Sequence, residues 1–167
     1  APSRLELPKG YAITTAPRYP FRGHQMGYRS LAHSYDAWTA ATYEQYMREM
    51  AVFGANAFET TSFHDPDEYD GPHMKLTRGE MAEAWARICA EYGYDFWLFT
   101  TAVGGTGESL EGLEDAMEHR LATLRAIPHL DHLYLTGGDG ASSHRRPDRM
   151  LEATARFAEE ARKIHPG

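Results

Sequence analysis

The stretch "LYLTGGDGASSH", from Leu133 to His144, begins as an apolar β-strand and ends in a glycine-rich polar loop. Gly137 and Gly138 can adopt positive φ and allow another group to come close to the backbone. The chain can therefore turn sharply after the strand and place the Asp139 side chain beyond the end of the strand. A Gly-Asp pair is also common in ordinary turns, so a site carboxylate and a plain turn both remain open. The stretch therefore predicts a buried strand that ends in either a functional aspartate or a tight turn.

The same order of apolar strand, polar loop and amphipathic helix occurs four times along the chain. The predicted strands are residues 21–28, 56–62, 95–102 and 130–138, and the predicted helices are residues 39–54, 77–93, 109–127 and 147–164. Thr39 and Thr77 are typical N-cap residues, and Glu80 completes a capping box with Thr77. Strands that alternate with helices pair in parallel, which predicts an α/β fold.

Two architectures fit this order of elements. The first is four consecutive parallel βα units that form half of a (β/α)8 TIM barrel, since a complete barrel usually needs about 250 residues. The second is a small doubly wound open sheet. Residues 17–167 form this domain, and residues 1–16, which lack an initiator methionine, are predicted to be the tail of a preceding domain or a linker.

Composition narrows the classes of partner. The net charge of -7 and the scatter of acidic and basic residues argue against nucleic acid or an anionic membrane as a partner. No apolar run approaches the roughly 18 residues that cross a bilayer, which predicts a soluble chain. The single cysteine, Cys89, excludes an intramolecular disulfide and leaves the redox compartment undetermined.

Polar residues in and after the predicted strands are the candidate binding groups. Arg22 and His24 lie in the first strand, Asp36 and Trp38 in the loop after it, and Glu59 in the second strand. A carboxylate in a buried strand needs a partner or a use, and Arg22 on the neighbouring strand is the expected partner of Glu59. The alternatives are structural: a core histidine at position 24, an internal ion pair at Arg22, and aromatic packing at Trp38.

Two loops suggest cofactors but match no binding motif. The acidic loop "FHDPDEYDGPH", residues 63–73, has no ordered spacing of metal ligands, which favours a solvated loop. The loop "VGGTGES", residues 103–109, lacks the lysine and the full glycine pattern of a phosphate-binding loop. The sequence therefore predicts neither a metal nor a cofactor.

Two segments resemble a known family. The segment "ITTAPRYPFRGHQMGYRS", residues 13–30, resembles the entry to the catalytic barrel of the family 20 β-N-acetylhexosaminidases, and "LTGGDG", residues 135–140, is similar to the Gly-Gly-Asp-Glu motif after their fourth strand. The segment "RGHQMGYRSLAHSYDAWTAATYEQYMREMAVFGANAFE", residues 22–59, is also similar to bacterial proteins related to hexosaminidases and α-glucuronidases.

The resemblance implies a TIM barrel, glycoside hydrolysis and a periplasmic or extracellular location. It implies that Arg22 holds sugar hydroxyls and that Asp139 orients the acetamido group of the substrate. The general acid of the family would follow Asp139, where this chain has Gly140. Because glycine cannot donate a proton to a leaving oxygen, these residues do not support the chemistry of that family in full.

The sequence as a whole predicts a carbohydrate-active, glycoside hydrolase-like barrel. Asp139 and Glu59 are the candidate catalytic acid and base, and the candidate saccharide-binding residues are Arg22, His24, Asp36 and Trp38. The alternative is a half-barrel that binds saccharide without catalysis or that assembles with a second copy. A half-barrel that stands alone exposes two edge strands, which predicts a homodimer or a domain-swapped assembly.

Overall fold

The computed structural model describes residues 8–28, 35–60, 71–101, 113–136 and 147–166. Its strands are β1 (Gly23–Met26), β2 (Ala57–Thr60), β3 (Asp95–Thr101) and β4 (His132–Thr136). Its α-helices are α1 (Ala40–Val52), α2 (Arg78–Tyr92), α3 (Leu113–Ala126) and α4 (Pro147–Ile164), and a single 3-10 turn spans Tyr35–Ala37. Strands and helices alternate, which confirms the predicted α/β class.

The four strands form one parallel sheet in the order β1-β2-β3-β4. A doubly wound sheet instead reverses its strand order at a switch point. In this sequential order, each right-handed crossover connects a strand to its neighbour on the same side. The helices of all the crossovers therefore lie on one face of the sheet. The prediction of four consecutive parallel βα units is confirmed, and closure into a barrel stays a prediction.

Helix boundaries follow the predicted capping residues. The Thr39 hydroxyl accepts a hydrogen bond from the Thr42 backbone N–H and begins α1. Thr77 and Glu80 form the reciprocal capping box of α2, and Gly93 ends that helix in the left-handed conformation with φ 71°. Each of these contacts pairs backbone groups that a helix end leaves unsatisfied.

The core lies between the sheet and its helices. Met26, Phe58, Phe96 and Leu98 are at most 2% exposed, and they alternate along their strands so that all four point to the same side. We call this side the helix face. It packs against helix residues that are also buried, including Met47, Trp85, Leu124 and Phe157. Full burial of each such side chain contributes about 1.5–3 kcal/mol to stability.

The chain's cysteine belongs to this core. Cys89 lies in α2, is 0% exposed and forms no disulfide. Burial, with a smaller contribution from nearby Asp131 and Asp95, raises the pKa of the Cys89 thiol to about 12. The thiol is therefore protonated and unreactive at neutral pH.

The lead-in to β1 differs from the core in exposure. Residues 8–20 are exposed and include one turn, in which the Tyr11 backbone N–H donates to the Pro8 carbonyl. The proposed division at residue 16 stays a prediction. Within the described parts of the chain, no helix has the length and apolarity needed to cross a membrane.

Candidate functional site

The side of the sheet opposite the helices has a row of four polar or aromatic residues. Strand register aligns Gln25 with Glu59, Glu59 with Trp97, and Trp97 with His132. Because these residues have the opposite alternation to the core residues, their side chains lie on the other side of the sheet. We call this side the open face, since no helix in the described ranges packs over it. It presents an amide, a carboxylate, an indole and an imidazole in one line.

Contacts within the row connect neighbouring strands in pairs. Gln25 Nε2 donates a 3.0 Å hydrogen bond to Glu59 Oε1, which ties β1 to β2. The rings of Trp97 and His132 lie 4.2 Å apart between centroids and are inclined by 36°. One step towards the carboxyl ends of the strands, Phe99 and Tyr134 repeat this arrangement at 5.0 Å and 36°. Polar groups thus occupy the β1–β2 side of the open face, and aromatic groups occupy the β3–β4 side.

Phe21 covers the amino end of the aromatic side. Its ring meets Trp97 edge to face at 5.8 Å and His132 at 5.3 Å, although Phe21 precedes β1 in the chain. The lead-in therefore crosses the amino end of the sheet to reach β3 and β4. Phe21 is 52% exposed, so it borders the row at the amino end of the sheet and is not part of the core. Access to the row is consequently from the carboxyl side and from the open face itself.

This arrangement suits a ligand that has both hydroxyl groups and flat apolar surfaces. Glu59 accepts one hydrogen bond from Gln25, and a carboxylate has further lone pairs for other donors. The indole Nε1 of Trp97 is buried and has no hydrogen-bond acceptor among the described residues. Hydrogen bonds to a ligand therefore come from Gln25, Glu59 and His132, while Trp97 contributes the surface of its ring.

The structure does not bring Arg22 and Glu59 together, which corrects the predicted pairing. Arg22 precedes β1, at the amino end of the sheet, and its Nε donates to the Gly54 carbonyl at 2.5 Å. Its Nη1 donates to the Tyr19 carbonyl at 2.7 Å and to the Pro20 carbonyl at 3.1 Å. The guanidinium group of Arg22 thus donates to one carbonyl after α1 and to two carbonyls before β1. Arg22 and Glu59 are apart because side chains alternate between the two sides of a strand. Arg22 is an even number of residues from His24 and Met26, so it lies on the helix side with them.

His24 also lies on the helix face rather than the open face. Its Nε2 shares a 2.6 Å hydrogen bond with the hydroxyl of Tyr46 in α1, and the two rings meet edge to face at 5.4 Å. Burial, followed by the nearby Tyr35, raises the pKa of the Tyr46 phenol. The structure therefore places His24 on the helix face as a half-buried histidine that is hydrogen-bonded to Tyr46, and its role in saccharide binding stays a prediction.

Asp36 and Trp38 lie together near the start of α1. The Trp38 ring is 4.6 Å from Tyr35, 5.2 Å from Tyr43 and 5.5 Å from Tyr46 between centroids, so it belongs to an aromatic cluster on the helix side. Asp36 is only 5% exposed. A Cβ added to Gly71 would lie 2.7 Å from Asp36 Oδ2, so glycine is needed where these two loops meet.

The remaining predicted residue, Asp139, lies outside the described residues, as does Gly140. Its separation from Glu59 stays a prediction. Three residues of the row were not among the predicted site residues: Gln25, Trp97 and His132. The alternation of side chains along a strand is the sequence signal that could have identified them. Glu59 and Trp97 are each the third residue of their strand, and the first residues of the two strands, Ala57 and Asp95, are paired.

Metal binding finds no support in the described residues. No group of three or more histidine, cysteine, aspartate or glutamate side chains within the described ranges is arranged to hold an ion. His129 and Asp131 do form a pair, at 2.7 Å between Nε2 and Oδ2. Asp131 Oδ2 also accepts from the Phe96 backbone N–H, so this pair fastens the start of β3 at the amino end of the sheet.

Among solved structures, the chain is similar to a crystal structure of a candidate alpha-L-fucosidase from Bacteroides ovatus. The two chains are 14% identical over a match that covers 70% of this chain and 24% of the other, with a TM-score of 0.49. The chain therefore spans about a quarter of the length of that protein. No protein-family model matches the chain, and no curated protein matches it either. Function is accordingly inferred from the residues of the open face.

Proposed function

We propose that this chain binds saccharide on the open face of its sheet. The supporting observation is the registered row Gln25, Glu59, Trp97 and His132, which sets hydrogen-bonding groups beside stacked aromatic rings. A sugar ring has hydroxyl groups at its edge and C–H groups on its faces. The amide and carboxylate match the hydroxyl groups, and the ring of Trp97 matches the apolar face.

The proposal is tested through the intrinsic fluorescence of Trp97. The chain has three tryptophans, Trp38, Trp85 and Trp97. We expect a panel of neutral oligosaccharides to contain at least one that changes the emission of the parent chain with saturation. Trp97→Phe abolishes this change and weakens binding about fivefold by calorimetry, since aromatic contacts contribute roughly 1 kcal/mol beyond the area they bury.

Trp38→Phe is the matched control, because it removes an indole from the helix side of the same protein. Under the proposal, this variant keeps both the fluorescence change and the affinity. If Trp38→Phe loses the response while Trp97→Phe keeps it, saccharide binds at the loop before α1 and the open-face site is incorrect. Absence of a saturable response to any saccharide rejects the proposed function itself.

Glycoside hydrolysis is a second candidate, supported by the position of Glu59 on the open face. Its required partner in this proposal is Asp139, which follows β4 in the sequence. Two carboxyl groups roughly 5–10 Å apart perform acid and base catalysis in glycosidases. Turnover of chromogenic glycosides that Glu59→Gln and Asp139→Asn each abolish, with unchanged thermal stability, supports catalysis. Binding without turnover supports a saccharide-binding role, which Gly140 favours because it replaces the expected acid.

Self-assembly is a third candidate, and the sheet edges favour it. In the described residues β1 and β4 each pair on one side only. Unpaired edges are prone to pair with another chain, and eight strands close a barrel whose interior side chains fill it. A second copy that adds β4 to β1 and β1 to β4 satisfies both edges. Sedimentation of the chain as a dimer supports this assembly, and a stable monomer of 18.8 kDa opposes it.

A further inference from the structure

The charged side chain of the described row is acidic. Glu59 lies at the centre of this row, between Gln25 and Trp97 in the strand register. The described strand residues that share the alternation of Glu59 are Gly23, Gln25, Ala57, Glu59, Asp95, Trp97, Phe99, His132 and Tyr134. This described set contains no lysine or arginine.

The arginine nearest to the row in sequence is already engaged. Arg22 precedes β1, and its guanidinium donates to the carbonyl oxygens of Gly54, Tyr19 and Pro20. Moving it to the open face would break these three hydrogen bonds, and among the described residues only the Pro20 carbonyl would keep a side-chain donor, Asn56 Nδ2. Arg22 is therefore not available to neutralise an anionic ligand beside Glu59.

The aromatic residues of the open face also favour a cationic ligand over an anionic one. Trp97 and Phe21 meet at 5.8 Å, and Phe99 and Tyr134 meet at 5.0 Å, so four ring systems lie on this side. The faces of aromatic rings are negative and attract cations by about 0.5–1 kcal/mol at exposed sites. A carboxylate next to several ring faces is a pattern that favours an ammonium group and disfavours an anion.

We propose that the saccharide bound here has a protonated amino group, as in oligosaccharides of glucosamine, and that Glu59 selects it. This inference rests on the proposed saccharide-binding function and adds the charge class of the ligand. The ammonium group pairs with Glu59, and the sugar ring lies against Trp97. A uronic acid oligosaccharide is disfavoured, because its carboxylates face Glu59 and the described strand residues of the open face include no lysine or arginine.

The test compares three oligosaccharides of equal length that differ in charge: glucosamine, N-acetylglucosamine and galacturonate oligomers. Binding is measured at about pH 6, where an amino group is protonated, by Trp97 fluorescence and calorimetry. We expect the glucosamine oligomer to bind about three- to fivefold more tightly than the neutral oligomer, the effect of one partly exposed ion pair. The galacturonate oligomer binds most weakly. Raising the salt from about 0.02 M to about 0.5 M removes the preference.

Glu59→Gln identifies the selecting group. This variant keeps a hydrogen-bonding side chain but removes the charge, and it is expected to equalise the affinities for the glucosamine and N-acetylglucosamine oligomers. The matched control is Glu152→Gln, which removes an exposed carboxylate from α4 on the helix side and keeps the preference.

Each outcome has a separate meaning. Equal or weaker binding of the glucosamine oligomer by the parent chain overturns the inference about charge while leaving saccharide binding intact. A preference that survives in Glu59→Gln overturns the role of Glu59. Binding of none of the three oligomers overturns the charge inference, and the wider saccharide panel then decides whether the proposed function fails as well.

Discussion

Phe58 and Glu59 are consecutive residues of β2 that belong to two different environments. Phe58 is 0% exposed and lies among the helix-face residues, whereas Glu59 lies in the open-face row and is hydrogen-bonded to Gln25. The helix face is closely packed and mainly apolar, with His24, Thr60 and Thr100 as its polar strand residues. The open face combines a carboxylate, an amide, an imidazole and large rings. The contrast shows that strand alternation separates the packed core from the accessible polar and aromatic side chains, with Phe58 on one side of the sheet and Glu59 on the other.

The same separation extends to the amino end of the sheet. Arg22 and Asp131 are charged, yet their side chains hydrogen-bond to backbone groups of the lead-in, of the turn after α1 and of β3. Such charges fasten the ends of elements. In parallel α/β barrels the amino end generally contributes stability and the carboxyl end contributes function. The polar residues at the amino end of this sheet follow that rule.

The largest expected difference between the two faces comes from neighbouring alanine substitutions. Phe58→Ala leaves a cavity in the core and lowers the free energy of unfolding by about 3–5 kcal/mol. Glu59→Ala changes it by less than about 0.5 kcal/mol, because the side chain is partly exposed and its partner Gln25 can bind water. Urea denaturation of both variants measures the difference. Equal losses would show that the open face is part of the core.

Arg22→Ala tests whether the amino end is structural. Loss of the guanidinium leaves the Gly54, Tyr19 and Pro20 carbonyl groups without this donor, and we expect stability to fall by about 2 kcal/mol. Saccharide affinity stays unchanged, since Arg22 is on the helix side. Arg18→Ala is the control, because Arg18 lies over the Tyr19 ring at 5.5 Å and has a much smaller expected effect. Loss of affinity without loss of stability would return Arg22 to the binding site.

Tyr43→Phe is expected to cost less stability than Arg22→Ala at neutral pH and to have a distinct effect at alkaline pH. The Tyr43 hydroxyl donates to the Gly27 and Tyr35 carbonyl groups at 3.2 Å, and its loss costs about 1 kcal/mol. Burial, with nearby Tyr28 as the next cause, raises the pKa of this phenol well above its ordinary value of 10.0. Chemical denaturation at neutral and alkaline pH measures both effects.

The sign of the alkaline effect follows from proton binding. Above about pH 10 the unfolded chain loses the phenol proton while the folded chain keeps it. The unfolded state then binds fewer protons, so stability falls as pH rises, by up to ~1.4 kcal/mol per pH unit. Tyr43→Phe removes this contribution and makes the fall shallower. An unchanged slope in the variant would show that Tyr43 titrates alike in both states.

Much of the fold was predictable because its signals are local. Thr39, Thr77 and Glu80 mark helix starts through hydrogen bonds to residues two or three positions away, and the structure confirms each. The fourth helix was predicted with the bounds 147–164, which the structure reproduces. Alternation of strands and helices then led to the parallel sheet through a general rule of connection.

The candidate site was harder to predict because it depends on which face each strand residue occupies. Strands β1 and β2 have only four residues each, too few for a clear period of two. Arg22 and His24 were therefore interpreted as binding residues although their parity places them beside the helices. The hydrogen bonds of Arg22 reach Gly54, which is 32 positions away. Distant partners of this kind cannot be predicted from local pattern.

The deep burial of Cys89 has a practical consequence for tests of the open face. Its shielded, protonated sulfur is expected to resist maleimide reagents in the folded protein at neutral pH. A cysteine introduced at Gln25 or Tyr134 can then accept a fluorescent or spin label selectively, with the native cysteine left in place. Distances between such labels in mixed samples would report directly on whether two copies bring their open faces together.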